Sequence, residues 1–368
     1  MARGADLFRT EPPSWGEGAS FLLLNPRLPE AQKQRVLAAD FPDAAGRVWL
    51  ATSGTGGLLK MVALSRSALE AGARAVNAHL GSGPDDIWIN PLPLFHVGGL
   101  GIVVRAALSG ARWEACGSGS WSAETFVSQA AGTNATLASL VPTQVHDLAQ
   151  TSCSPPPSLR AVVVGGGAID HALLDSMRSR GWNLLPSYGL TEAASQVATA
   201  EPDATDLDWL PLLPHIEAKL GEDGVLELRG ESLLDGWMVF SANGPCTWED
   251  PKRDGWYRTG DRAELHGRRI RLLGRADDLV KIRGELVDMA ALERALRARV
   301  PSGQIALLAA PDERAGHELY VVTDSAQTAS AVCAVIEETF PPYARPREIK
   351  VGVVPKTPLG KTVRGRGT

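Results

Sequence analysis

Hydroxyls, glycines and a terminal cation are crowded into the run Thr52, Ser53, Gly54, Thr55, Gly56, Gly57, Leu58, Leu59 and Lys60. Such a loop offers accessible backbone N–H groups and a positive charge, the two things an oligophosphate needs. It is not a Walker A loop, because GxxxxGK would place Gly where the chain has Leu59. Four more short segments follow in order: Tyr188 to Glu192 (YGLTE), Tyr257 to Asp261 (YRTGD), Gly274 to Asp278 (GRADD) and Pro355 to Lys361 (PKTPLGK). Each alone reads as loop punctuation, since Gly, Thr and Asp are ordinary turn residues. Their shared order and spacing point to an enzyme that handles a nucleotide.

Individual residues suggest parts of that chemistry. Val162 to Val164 runs into Gly165, Gly166 and Gly167, where bare backbone can approach a flat ring or simply turn. As a dinucleotide fingerprint the run fails, because Asp170 stands where GxGxxG needs its last glycine. Glu192 follows Thr191 at the end of a strand expected over Trp182 to Ser187. A carboxylate beside phosphates suits Mg2+, although by itself it reads more readily as a helix-start residue. Asp261 could accept hydrogen bonds from ribose hydroxyls, against a plain turn aspartate. Lys361, taken singly, reads as a solvated surface lysine.

These residues need elements to position them. Residues 47–51 predict a strand running into the Gly-rich loop, and Ser65 to Leu80 predicts a helix capped by Ser65 or Ser67, giving a strand, loop, helix unit. Strands are expected at Asp86 to Asn90, Ala135 to Leu140 and Ala161 to Val164, with helices at Gly98 to Leu108 and Pro142 to Gln150 between them. That alternation specifies an α/β fold, a large N-terminal domain with parallel-rich sheets. From about residue 212 the texture becomes short antiparallel hairpins, with strands at Ile216 to Leu220, Gly224 to Arg229 and Arg268 to Leu273. After Gly274 comes a small α+β unit: helix Asp288 to Arg299, strands Gln304 to Ala309 and Leu319 to Thr323, helix Ala329 to Phe340. The expected division is residues 1–274 and a mobile C-terminal domain of residues 275–368.

The bulk properties set limits. A chain of 368 residues exceeds the usual size of one core, and 44% hydrophobic with 21% charged residues is ordinary for a globular protein. A formal charge of -5 offers no long-range attraction for nucleic acid or an anionic membrane. Cys116, Cys153, Cys246 and Cys333 are too scattered for a zinc site or a disulfide framework. The run Phe21 to Leu24 does not resemble a signal peptide, and no apolar stretch approaches the roughly 20 residues that span a bilayer, so the expectation is a cytoplasmic enzyme.

From Trp49 to Arg364 the set of motifs resembles the adenylate-forming superfamily of acyl- and aryl-CoA synthetases. The phosphate loop departs from that superfamily's TSGTTGxPK at Gly56 and Leu59, where Thr and Pro are usual. The resemblance implies that Thr52 to Lys60 hold the β- and γ-phosphates of ATP and that Gly165 to Gly167 with Tyr188 and Gly189 flank adenine. It further implies that Thr191 contacts phosphate, Glu192 Mg2+, and Asp261 with Arg275 the ribose. Asp277 matches the hinge, Gly284 the passage of the pantetheine arm of CoA, and Lys361 the lysine bridging carboxylate and α-phosphate.

Pro93 to Gly101 (PLFHVGGLG), followed by Arg105, and the run Tyr188 to Gln196 (YGLTEAASQ) are similar to the o-succinylbenzoate:CoA ligase family of menaquinone biosynthesis. There His96, Arg105, Ser195 and Gln196 would line the acyl pocket, with Arg105 offering fixed donors to a second carboxylate. Less chain precedes the phosphate loop than in most such enzymes, leaving a more open cleft and a homodimer surface as alternatives. Competing readings are a ligase for another aryl or fatty acid, an adenylation domain that loads a carrier protein, and a non-catalytic nucleotide-binding relative.

Overall fold

The computed structural model describes residues 20–26, 28–42, 46–53, 59–117, 121–240, 245–276, 279–282, 285–300, 304–312, 316–340, 342–355 and 365–366. Near the start lie β1 (Phe21–Leu23), α1 (Glu30–Ala38), β2 (Arg47–Ser53) and β3 (Leu59–Ser65). The expected strand, loop, helix unit is corrected here. The Gly-rich loop joins two antiparallel strands, with Thr52 opposite Lys60, and α2 (Arg66–Leu80) begins only after β3. The physical reason is the run Met61 to Leu64, which is buried on both faces of the ribbon and holds the chain extended past the loop. Ser65 then caps α2 by accepting from the Ala68 N–H at 3.1 Å, and Gly81 closes it in the left-handed region at φ 59°.

A parallel sheet follows, built from β4 (Ile87–Asn90), β5 (Arg112–Ala115), β6 (Leu137–Leu140), β7 (Ala161–Val164) and β8 (Leu184–Leu190), with β9 (Ser195–Thr199) added antiparallel. Its order is β5-β4-β6-β7-β8-β9. The crossovers carry α3 (Val97–Ser109), α4 (Ala123–Gly132), α5 (Pro142–Ala149) and α6 (His171–Ser179). Asp170, which spoils the dinucleotide fingerprint, is the N-cap of α6 and accepts from the Leu173 N–H at 3.0 Å. Ile89, Phe126, Leu140, Val145, Val162, Met177 and Trp182 form a continuous core between this sheet and α4 to α6. Every residue of β4, β6 and β7 is buried, as a sheet covered on both faces requires.

The hairpin texture appears as β10 (Leu210–Pro211), β11 (Ile216–Leu220), β12 (Val225–Gly230), β13 (Gly236–Phe240), β14 (Cys246–Glu249), β15 (Tyr257–His266) and β16 (Arg269–Arg275). β10 pairs antiparallel with β16, while β13 returns to pair with β3 and completes the sheet order β1-β2-β3-β13-β14.

Two compact units divide the described chain, the second taking residues 221–226, 259–264 and 272–368. Its later part holds β17 (Leu279–Ile282), β18 (Glu285–Asp288), α7 (Met289–Arg299), β19 (Ile305–Asp312), β20 (Gly316–Thr323), α8 (Ala326–Thr339), β21 (Glu348–Val351) and β22 (Gly365–Arg366). The last four strands form a sheet of order β21-β20-β19-β22. Val280, Leu296, Leu307, Val321, Val332, Ile336 and Phe340 give it a core of its own.

In the first unit His215 is held in its neutral form. Burial first, and the nearby Arg268 cation second, depress its pKa from 6.5 to about 4. Both ring nitrogens are buried without a hydrogen-bond partner. An unfolded chain protonates this histidine at its ordinary pKa and the folded one does not, so stability is full above roughly pH 6.5 and falls as pH drops towards 4. The expected outcome is that Tm falls less between pH 7.5 and pH 5 in His215→Leu than in the parent protein. Equal falls in scanning calorimetry would contradict the assignment.

Candidate nucleotide and acyl site

Thr52 and Ser53 close β2, and Leu59 and Lys60 open β3, in the register Thr52 opposite Lys60 and Ser53 opposite Leu59. The two strands therefore present both ends of the Gly-rich loop at the same end of the sheet. Gly54, Thr55, Gly56 and Gly57 lie outside the described residues, as do Asp277, Gly284 and Lys361. The Lys60 ammonium lies 3.6 Å from the centroid of the Trp237 ring.

At the carboxyl end of the parallel sheet, Gly165 leaves β7 with its N–H donating to the Leu140 carbonyl at 3.1 Å. Gly166 is left-handed at φ 80°, a conformation that favours glycine. On the neighbouring strand Tyr188 is buried, and the register shifts between it and Gly189. A Cβ on Gly189 would drive into the Ser195 carbonyl oxygen, so glycine is required for the chain to double back. The return is a tight turn in which Thr191–Ala193 form a 3-10 helix and both Ala194 (φ 52°) and Ser195 (φ 111°) are left-handed. Non-glycine residues in that region store strain, and they cluster at functional sites. The Leu234 N–H donates to the Glu192 carbonyl at 2.8 Å and pins the turn from behind.

The turn delivers Ser195 and Gln196 to Arg105. Arg105 is the only charged residue of α3, which is buried over Gly99 to Ala106. Arg105 Nη2 donates to Ser195 Oγ at 3.0 Å. With the Gln196 amide oriented to satisfy both its ends, its oxygen accepts from Nη1 at 3.1 Å and Nη2 at 2.9 Å, while its nitrogen donates to Thr199 Oγ1. The guanidinium faces the Trp88 ring at 5.6 Å, and its Nε has no partner. At 2% exposure the cation is almost out of water, and burial alone lowers its pKa from 12.5 to about 10, so it keeps its charge at neutral pH. No carboxylate among the described residues forms an ion pair with it. His96 occupies the N-cap position of the same helix, its ring 4.7 Å from that of Phe95.

The second unit holds a separate polar cluster. Arg275 Nη1 donates to Asp261 Oδ1 at 3.1 Å, and the Asp261 N–H donates to Thr259 Oγ1 at 3.0 Å. Gly260 is left-handed at φ 79°, and a Cβ there would come within 2.9 Å of Arg275 Nη2. Asp261 thus sits on a fixed bend, oriented by a cation.

The profile of the AMP-binding enzyme family matches residues 27–239. The chain belongs to this family. Among curated AMP-binding relatives, the 2-succinylbenzoate–CoA ligase of Salmonella typhimurium is 33% identical over 287 residues, covering 76% of this chain and 58% of the relative. The enzyme of that name from Escherichia coli is 34% identical over 273 residues, covering 74% and 57%. The matches to these relatives thus span under two thirds of their length. Among solved structures, o-succinylbenzoate CoA synthetase from Bacillus subtilis, in complex with its acyl-adenylate intermediate, is 25% identical. It superposes with TM-score 0.75 over 86% of this chain and 68% of its own.

In this AMP-binding chain the structure brings together Arg105, Ser195 and Gln196, and separately Asp261 with Arg275, as the sequence had grouped them. Two aromatic platforms escaped the sequence reading: Trp88 under Arg105 and Trp237 under Lys60. Each is distant in sequence from its cation; helix-on-strand packing reveals the first pairing and the β3–β13 register the second. Thr199, fully buried, was also missed; its hydroxyl meets Gln196 and lies 3.0 Å from Ser187 Oγ. For Mg2+, Glu192 is a single carboxylate, and no group of three or more acidic, His or Cys side chains gathers among the described residues. That donor set fits an ion carried in mainly by phosphates and water.

The steric argument at Gly189 has a direct check. Gly189→Ala is expected to lower Tm by several degrees, because the turn must open to admit one methyl group. Gly165→Ala, whose Cβ would meet nothing closer than 3.5 Å, is expected to leave Tm within about a degree. Thermal melts of the two variants side by side decide the matter, and similar Tm values would contradict the geometry.

Proposed function

We propose that the chain is an ATP-dependent acid–thiol ligase. It adenylates an aryl dicarboxylate, o-succinylbenzoate, and transfers the acyl group to CoA with release of AMP and pyrophosphate, in menaquinone biosynthesis in the cytoplasm. The observation that carries this reading is the uncompensated Arg105 cation. A buried charge without a counter-ion is strongly disfavoured, and a ligand that supplies a carboxylate relieves the penalty. A simple fatty acid has no second carboxylate to offer, whereas o-succinylbenzoate has one. The names of the relatives and the acyl-adenylate in the neighbouring structure support the same acid.

In this reading the loop Thr52 to Lys60 cradles the β- and γ-phosphates, Gly165 to Gly167 with Tyr188 and Gly189 flank the adenine, and Thr191 donates to phosphate. Asp261, oriented by Arg275, accepts from the ribose hydroxyls. His96, Arg105, Ser195 and Gln196 line the acyl pocket. Glu192 would hold Mg2+, which when bound supplies charge neutralisation at the phosphates. The substrate carboxylate oxygen attacks the α-phosphorus, the bond to the bridging oxygen breaks, and pyrophosphate leaves. The protein's share is alignment and charge stabilisation, with Lys361 assigned to the reacting carboxylate and α-phosphate. A thiolate then displaces AMP from the acyl adenylate. Residues 275–368 are proposed as the mobile domain, with Asp277 as its hinge and Gly284 beside the pantetheine arm.

Pyrophosphate release with ATP, Mg2+ and a panel of carboxylic acids, with and without CoA, tests the proposal. Release selective for o-succinylbenzoate, formation of its CoA thioester, and a loss of about 10²–10³-fold in Lys361→Ala are expected. Selectivity for another acid would overturn the substrate assignment, and release by no acid would overturn the activity.

A further inference from the structure

Lys60 is the one cation in the Gly-rich segment Thr52 to Lys60, and its resting place is an aromatic face. In the β3–β13 pairing Lys60 lies opposite Val239 and Val62 opposite Trp237, so Lys60 and Trp237 are diagonal neighbours on one face of the sheet. The ammonium reaches across to within 3.6 Å of the ring centroid, well inside cation–π distance. The ring is itself fixed. Trp237 Nε1 donates to Glu249 Oε2 at 3.2 Å, Tyr257 packs edge-on at 6.1 Å, and only 8% of the residue is exposed. Among the described residues Lys60 forms no ion pair, so the indole is the only electrostatic partner that holds it.

We propose that Trp237 is the positioning residue for the phosphate-loop lysine. The ring holds the Lys60 ammonium at the root of the loop, above the strand rather than in solvent, and releases it to arriving phosphates without the cost of breaking an ion pair. A carboxylate in place of the ring would neutralise the cation and compete with phosphate; an aromatic face restrains it while leaving its charge available. The inference rests on the proposed role of the loop in binding nucleotide phosphates.

Reductive methylation with ¹³C-formaldehyde places NMR-visible methyl groups on the lysine nitrogens, with the Lys60 signal assigned by its loss in Lys60→Arg. The stack predicts an upfield ring-current shift of that signal, abolished in Trp237→Leu and kept in Trp237→Phe. The unmethylated proteins then give ATP affinity by calorimetry and KM and kcat by pyrophosphate release. Trp237→Leu should weaken ATP binding and raise KM for ATP by about tenfold with kcat little changed, the size of a partly desolvated cation–π contact. Trp237→Phe should restore most of the loss, and Trp237→Leu should add nothing in a Lys60→Met background.

A purely structural tryptophan would instead lower Tm and the active fraction without moving KM. An unshifted Lys60 signal, or unchanged ATP affinity in Trp237→Leu, would overturn the inference. A shifted signal in a parent protein that binds no ATP would instead overturn the nucleotide reading and, with it, the positioning role.

Discussion

The guanidinium of Arg105 is a full positive charge inside a helix that is otherwise uncharged, and the surrounding structure is arranged around tolerating it. Helix residues cannot solvate it, because their own backbone donors and acceptors are spent. Its partners have to come from elsewhere, and they come from the turn between β8 and β9. Ser195 and Gln196 reach it only because Gly189 lets the two strands touch and because Ala194 and Ser195 accept left-handed backbone. Neutral hydroxyl and amide oxygens hold the cation in place without cancelling it, leaving its charge for a ligand to answer.

The same economy appears at Lys60. There too a cation is restrained by a π face and not by a carboxylate, and the aromatic group is anchored by its own hydrogen bond. Both cations sit on residues of packed elements, β3 and α3, whose side-chain directions are set by buried neighbours. Placement on rigid elements suits groups that must meet a ligand with little reorganisation. The turn Thr191 to Ser195 joins the two functions. Its first half carries the carboxylate assigned to the metal, its second half grips Arg105, and the Leu234 N–H holds it from behind.

β4, β6 and β7 with α3 and α5 were legible because inner strands of a parallel sheet write themselves as uninterrupted apolar runs, whereas α4 and the mostly exposed edge strand β5 (Arg112–Ala115) were not read. Arg105 could be singled out because it follows the run Pro93 to Gly101, which resembles the ligase family; by itself it read equally as a solvated helix arginine, and only the coordinates show it buried. β3 was not seen, since the short run Leu59 to Leu64 lies between the Gly-rich segment and the cap at Ser65 and reads as the end of the loop that precedes the helix. Trp88 and Trp237 were not seen because their partners depend on how α3 packs on β4 and on the register of β3 with β13, which no local pattern encodes. Of the site itself, the residue types and their order were readable, while the aromatic platforms and the strained turn required coordinates.

The central claim is that Arg105 confers selectivity for an acid with a second carboxylate. The most direct measurement is kcat/KM for adenylation of o-succinylbenzoate and of its aryl monomethyl ester, in the parent protein and in Arg105→Met. The account predicts a large preference for the diacid in the parent, of about 10²-fold or more as expected for a desolvated charge pair, and its collapse in the variant with the monoester little affected. Equal losses for both acids, or a preference that survives the substitution, would contradict it.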